Sequence, residues 1–253
     1  MIAELAAAIE RGERVVLATV VGTERSVPRR AGTKMLVFAD GSTIGTVGGG
    51  EMEYRVRTEA AIALTDRRPR LLTYDLLDPR AGDPGVCGGR ATIYLEPFMP
   101  SPTLLIIGAG HVGAAVAHLA GWLGHRVVVW DDRPELVDDV PGADRADTGP
   151  IEDLLDDMDI GPDTSIVVVT RNVDLDLTIL PPVLESEAGY VGVMGSNRRW
   201  AKAREGLKER GVPDELLAAV HAPIGIEIDA ETPEEIAVSI LAQVIAARGG
   251  APS

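Results

Sequence analysis

Leu104-Leu105-Ile106-Ile107-Gly108-Ala109-Gly110-His111-Val112-Gly113 decides the fold of this 253-residue chain. The apolar run reads as a buried strand, the glycines as a tight turn, and the residues after them as the start of a helix. The spacing is Gly108-x-Gly110-x-x-Gly113. A second apolar run, Val127-Val128-Val129-Trp130, closes on Asp131 and Asp132 about twenty residues further on. Strand, glycine turn, helix and distal acid together form a dinucleotide-binding fingerprint. Gly108 lets the chain leave the strand sharply, Gly110 lets a pyrophosphate approach the backbone, and Gly113 lets the helix pack on the sheet. His111 lies inside the motif and is a candidate to face the ligand. Asp131 or Asp132 would accept ribose hydroxyls, a pattern that favours NAD over NADP.

Working outward, strands are expected at 103–107, 126–130, 165–170 and 190–194, with helical segments between them. That alternation implies a Rossmann-like, doubly wound parallel sheet over residues 103–223. In the carboxy-terminal segment 224–253, Thr232 is placed to cap a helix, with Pro233 first and Glu235 completing a capping box. Ile236, Ile240, Leu241, Val244 and Ile245 form one face, suited to the core or to a homodimer, and Gly249-Gly250 ends the helix. Upstream, residues 1–97 read as a small α+β domain. It holds a helix at 2–11, strands at 14–21, 34–38, 42–47, 71–74 and 91–95, and a helix at 51–66. Asp40-Gly41 marks a hairpin. The three prolines of Pro97-Phe98-Met99-Pro100-Ser101-Pro102 are expected to stop any element there, leaving a linker at 98–102. The fold class is therefore α/β, an α+β domain followed by a Rossmann-like domain.

A net charge of −15 repels phosphate backbones and anionic lipid surfaces, so nucleic-acid and membrane partners are not expected. Cys87 is the only cysteine, which excludes an intrachain disulfide and an iron–sulfur cluster. The amino terminus lacks a basic n-region and no apolar run is long enough to span a bilayer, so the cytoplasm is the expected compartment.

Four further stretches carry chemistry. Gly45-Thr46-Val47-Gly48-Gly49-Gly50-Glu51 reads either as an anion cradle at a helix start or as a tight turn. Gly85-Val86-Cys87-Gly88-Gly89-Arg90 places the thiol in a glycine loop, read either as a reactive thiol that Arg90 would push toward thiolate or as a small buried residue in a turn. Ser26-Val27-Pro28-Arg29-Arg30-Ala31-Gly32 is a basic loop in an acidic chain and reads either as a phosphate site or as a solvated charge run. Gly195-Ser196-Asn197-Arg198-Arg199 opens a helix that Ser196 can cap and is the best local anion site after the fingerprint. Asp174 and Asp176 are candidates for a metal, a ligand or a helix cap. His111, His118, His125 and His221 show no metal spacing.

The residues resemble the XdhC/CoxI family of accessory proteins. The resemblance rests on the loops at 26–32, 45–50 and 86–90, on Gly108–Gly113, Asp131-Asp132-Arg133-Pro134-Glu135 and Gly195-Ser196, and on 221–226 and 231–237. It implies a chaperone that binds the molybdenum cofactor, as molybdopterin or its dinucleotide form. Such a chaperone assists sulfuration by a cysteine desulfurase and insertion into a xanthine dehydrogenase-class molybdoenzyme. The family also carries a cysteine before this Gly-Gly, and the expectation is that Cys87 touches or shields the metal's terminal sulfur. Arg29, Arg30, Gly48, Gly49, Gly50, Gly88, Gly89, Gly108, Gly110, His111, Gly113, Asp131, Asp132, Ser196 and Arg198 would bind the cofactor or a nucleotide. Where family members commonly read Thr-His-Asp, this chain has Thr170-Arg171-Asn172. An NAD-dependent oxidoreductase is the main rival, though no proton-transfer constellation stands out. A molybdenum hydroxylase is disfavoured by the lone cysteine, and a nucleotidyltransferase by the absence of an arginine-bearing glycine loop near residues 1–21.

Overall fold

The computed structural model describes residues 1–76 and 88–248. The chain forms two compact units, Met1–Pro100 and Ser101–Ser253.

The first unit holds α1 (Ile2–Glu10), β1 (Val15–Glu24), β2 (Lys34–Phe38), β3 (Thr43–Gly45), α2 (Gly50–Asp66), β4 (Arg70–Asp75) and β5 (Arg90–Phe98). The strands make one antiparallel sheet in the order β3-β2-β1-β5-β4. Alternation along the strands sorts side chains to two faces. Val16, Ala18 and Val20 join Met52, Val56 and Ala60 of α2, whereas Val15 and Leu17 join Leu5 and Ala8 of α1.

Two boundaries differ from expectation. The β1 strand runs on to Glu24 through an irregularity between Val20 and Gly22, so its polar tail still pairs with β5. Strand β5 continues through Pro97, which pairs with Val16. This corrects the expectation that the prolines bar any element. The partner β4 stops opposite Leu95, so Pro97 sits where that side of β5 has no neighbour and no ladder N–H is needed.

The second unit holds β6 (Thr103–Ile107), α3 (His111–Trp122), β7 (Arg126–Trp130), β8 (Arg145–Asp147), α4 (Ile151–Asp157), β9 (Thr164–Val168), α5 (Val173–Glu185), β10 (Tyr190–Val193), α6 (Asn197–Glu209), α7 (Asp214–Ala218) and α8 (Pro233–Arg248). Its sheet is wholly parallel, in the order β10-β9-β6-β7-β8. Leu104, Ile106 and Val129 pack with α3 and α8 on one face, and Leu105, Val128 and Ile166 with α4 to α7 on the other. Both faces are covered, so the strands are apolar throughout rather than alternating.

The capping box on α8 is reciprocal: Glu235 N–H donates to Thr232 Oγ1 at 3.2 Å, and Thr232 N–H donates to Glu235 Oε2 at 3.0 Å. Ala237, Ile240, Leu241 and Val244 of α8 are buried in the core, while Ile245, expected on that face, is exposed. Gly249 and Gly250 lie outside the described residues. Among those residues, no helix is long and apolar enough to cross a membrane.

Candidate functional site

In the second unit the chain reverses its winding between β6 and β9, with α3 on one face of the sheet and α5 on the other. Ligands of open α/β sheets bind in the crevice outside the carboxyl ends of the strands at such a switch point. The turns after β6, β7, β9 and β10 all leave at this edge.

The glycine turn is built tightly. Gly108 takes φ +116°, and a side chain there would meet the Val169 carbonyl oxygen at 2.7 Å. At Gly113 a Cβ would fall 1.8 Å from the Gly108 carbonyl oxygen, so only glycine allows α3 to approach the turn. Nothing lies within 4 Å of where a Cβ would stand on Gly110. Gly110 is also the N-cap of α3 and supplies no side-chain cap. Open space over an uncapped helix start suits a phosphate. His111, the first residue of α3, is exposed there.

The acidic pair does not sit as its spacing suggests. Asp131 is 2% exposed, and its carboxylate takes N–H bonds from Ala109 at 2.7 Å and Arg133 at 3.0 Å. It also accepts from Arg133 Nε at 2.8 Å and Nη2 at 2.9 Å. Asp131 thus fixes the glycine turn from within instead of receiving ribose hydroxyls. Asp132 is exposed and doubly bonded by Arg171, Nη1 to Oδ1 at 2.5 Å and Nη2 to Oδ2 at 2.7 Å. That pair holds the Asp132 carboxyl below its usual range. It joins the turn after β7 to the turn after β9, flanking the end of β6 on both sides.

Deeper at the same edge, Asp176 is fully buried. Arg199 grips it through Nε at 3.1 Å and Nη2 at 2.8 Å, and also donates to the Thr170 carbonyl at 3.0 Å. The Thr170 hydroxyl donates to the same carboxylate. Asp176 is therefore part of the scaffold, and the cap of α5 is Asn172, which accepts from Leu175 N–H at 2.9 Å. Asp174 is exposed. Ser196 caps α6 by accepting from Arg199 N–H at 3.2 Å, and Arg198 points to solvent. The inward turn of Arg199 was legible in outline, since Arg199, Ala203 and Leu207 recur every fourth residue on the buried side of α6.

In the first unit, antiparallel pairing brings Glu24, Lys34, Gly45, Asp75 and Arg90 to one edge of the sheet. The loops at 25–33 and 46–49 leave from this edge, and Gly88 and Gly89 precede β5 there. They touch: a Cβ on Gly89 would fall 2.2 Å from the Ser26 carbonyl oxygen, and one on Gly48 would lie 3.5 Å from Pro28 Cβ. Arg29 and Arg30 are exposed and make no ion pair among the described residues.

The glycine turn at 46–50 does converge on an anion, but the anion is the chain's own. Glu53 Oε1 accepts from Gly49 N–H at 2.9 Å, Val47 N–H at 3.1 Å and Gly48 N–H at 3.4 Å, and from the Thr46 hydroxyl. Burial pushes the Glu53 carboxyl up, yet the Thr46 hydroxyl and these N–H groups outweigh it and hold the carboxyl below its ordinary range. Gly50 opens α2 just beyond. Cys87 lies outside the described residues. Among those residues, no group of three His, Cys, Asp or Glu could hold a metal ion.

Comparison with known proteins reaches both units. The XdhC Rossmann domain pattern matches residues 104–244, and the XdhC and CoxI family pattern matches residues 8–75. The chain is 35% identical over 242 residues to Uncharacterized protein YqeB of Escherichia coli (strain K12), covering 93% of this chain and 44% of that protein. It thus spans less than half the length of that relative. It is 25% identical over 291 residues to Molybdenum cofactor insertion chaperone PaoD of Escherichia coli (strain K12), covering 95% of this chain and 86% of that one. A crystal structure described as a xanthine dehydrogenase from Bacillus halodurans aligns with a TM-score of 0.52 at 25% identity, over 96% of this chain and 94% of the other.

Proposed function

The chain belongs to the XdhC and CoxI family, and on that premise we propose that it is an accessory factor for molybdenum hydroxylases of the xanthine dehydrogenase class. It takes the molybdenum cofactor as cargo, assists its sulfuration by a cysteine desulfurase, and hands it to the apoenzyme. The observation that carries this reading is that the family match takes in both units, in a chain also similar over most of its length to a molybdenum cofactor insertion chaperone.

The chemistry of the first unit's loop edge fits such cargo. Molybdopterin carries a phosphate and soft sulfur ligands around its metal. Arg29 and Arg30 supply guanidinium forks for the phosphate and have no competing carboxylate partner among the described residues. The N–H groups of Gly48 and Gly49 already serve Glu53, so their part is to shape the turn beside that site. Cys87, joined to the Gly88-Gly89 pair, offers a soft thiolate that shields the metal's terminal sulfur. In the second unit, the Gly108–Gly113 turn holds a nucleotide, either a separate one or the nucleotide part of the cofactor's dinucleotide form.

The test is anaerobic co-expression with an intact molybdenum cofactor pathway, followed by metal and pterin assay of the purified protein. Near-stoichiometric pterin with molybdenum is expected. A protein that carries no pterin and retains NAD instead refutes the cargo reading and favours an NAD-dependent oxidoreductase. Cys87→Ala is expected to lose bound cofactor or activation of the target enzyme; if it keeps both, the thiol has no such role.

A further inference from the structure

At the end of β7 the crevice presents guanidiniums, not carboxylates. Asp131 is buried, and its oxygens are taken by Ala109 N–H and by the N–H, Nε and Nη2 of Arg133. Both oxygens of Asp132 are taken by Arg171. The two arginine side chains stay open to solvent, 37% exposed for Arg133 and 43% for Arg171. They stand close enough for their charges to repel. Arg133 Nη1 and Arg171 Nε make no hydrogen bond among the described residues.

Unused donors therefore outnumber unused acceptors at the place where the fingerprint meets a ribose. A ribose diol brings further donors. A phosphomonoester brings only acceptors and negative charge. The exposed Asp132–Arg171 pair is a solvated surface ion pair of small net worth, so it yields to a better partner. A two-pronged guanidinium–phosphate contact is such a partner, being charge-assisted at both ends. Buried Asp131 holds Arg133 in place without filling its remaining donors.

We infer that this crevice selects nucleotides bearing a phosphomonoester on the ribose beside β7, and that Arg171 and Arg133 determine that selectivity. The inference rests on reading the Gly108–Gly113 crevice as a nucleotide site. It is independent of the cargo bound by the first unit.

Calorimetric titration of the whole chain with adenosine 2′,5′-bisphosphate, AMP, NADP+ and NAD+ tests it. The 2′-phosphorylated member of each pair binds at least tenfold more tightly to the wild-type protein. In Arg171→Ala the ratio falls toward one while AMP binds no more weakly, because Asp132 is released to accept ribose hydroxyls. The melting temperature stays within a degree or two, as the lost pair is a surface one. Equal or tighter binding of AMP and NAD+ by the wild-type protein overturns the inference. So does a ratio that survives both Arg171→Ala and Arg133→Ala. Failure of all four probes to bind overturns this inference and the reading of the crevice as an adenine-nucleotide site, whereas lost selectivity alone leaves that reading standing.

Discussion

Replacing Gly113 by alanine plants a methyl carbon 1.8 Å from the Gly108 carbonyl oxygen, whereas the same change at Gly110 plants it in open space. Ordinary van der Waals contact begins near 3.4 Å, so at Gly113 the helix must move by more than 1 Å. Both clashing partners are backbone, and no side chain can swing aside. Overpacking of this kind costs about 1–3 kcal/mol, and we place it at the upper end. Alanine's better helix propensity returns up to about 1 kcal/mol. The net loss of about 2 kcal/mol lowers the melting temperature of a unit this size by roughly 4–8 °C. At Gly110, an N-cap with φ −68°, alanine is the poorer cap but meets no clash and costs about 0.5–1 kcal/mol. Its methyl group instead stands where a phosphate must approach the backbone, and nucleotide affinity falls at least tenfold. Circular-dichroism melts and calorimetric titration of both variants separate the two effects. A Gly113→Ala protein that melts with wild type refutes the close packing, and a Gly110→Ala protein that binds nucleotide normally refutes the role of the open turn.

His125 is buried, and its Nδ1 has no hydrogen-bond partner. Burial, aided by the charge of Arg248, pushes its pKa down to about 4 from an ordinary 6.5. Below pH 6.5 the unfolded chain takes up a proton that the folded chain refuses, so stability falls as the pH drops toward 4. The loss between pH 7 and pH 5 is about 2 kcal/mol, read as a falling urea midpoint that His125→Phe flattens. Asp176→Ala leaves Arg199 beside a buried void without its counter-charge and costs about 3 kcal/mol in chemical denaturation, with Asp176→Asn costing less. Glu53→Ala strips the 47–49 N–H groups of their acceptor and costs about 1–3 kcal/mol, while Glu53→Gln keeps an acceptor and costs less. Hydrogen exchange of the Gly48 and Gly49 amides, fastest in the alanine variant and closer to wild type in the glutamine one, checks that assignment.

The fingerprint and the long apolar strands were legible because their signals are local. Glycine spacing and four-residue apolar runs depend on nothing outside the turn and the sheet it feeds. The strand β8 was not expected, since Arg145-Ala146-Asp147 has no apolar run and is a three-residue edge of the sheet. Pro97 was misjudged because its effect depends on whether a neighbouring strand reaches that far, which only the register with β4 decides. At the crevice, the spacing put Asp131 and Asp132 just past the end of β7, but their partners were invisible. Arg133 lies two residues from Asp131, whereas Arg171 reaches Asp132 from thirty-nine residues away through the parallel topology. Glu53 shows the same limit. An acid in the first turn after glycines reads as favourable to the helix dipole, and nothing local says that its oxygen closes the turn.

Helix α8 is the last element of the second unit, yet it covers the same face of the sheet as α3, the first helix to follow the fingerprint. Val244 and Leu241 touch the core that Leu104 and Ile106 begin. During synthesis, the first unit has every strand and helix of its described residues in hand once Phe98 has been added. In the second, α3 follows the earliest strand at once, but the part of that face covered by α8 waits for well over a hundred residues. Vectorial folding therefore completes the two units at different moments: the first can settle on the ribosome while the second stays open until its final helix emerges.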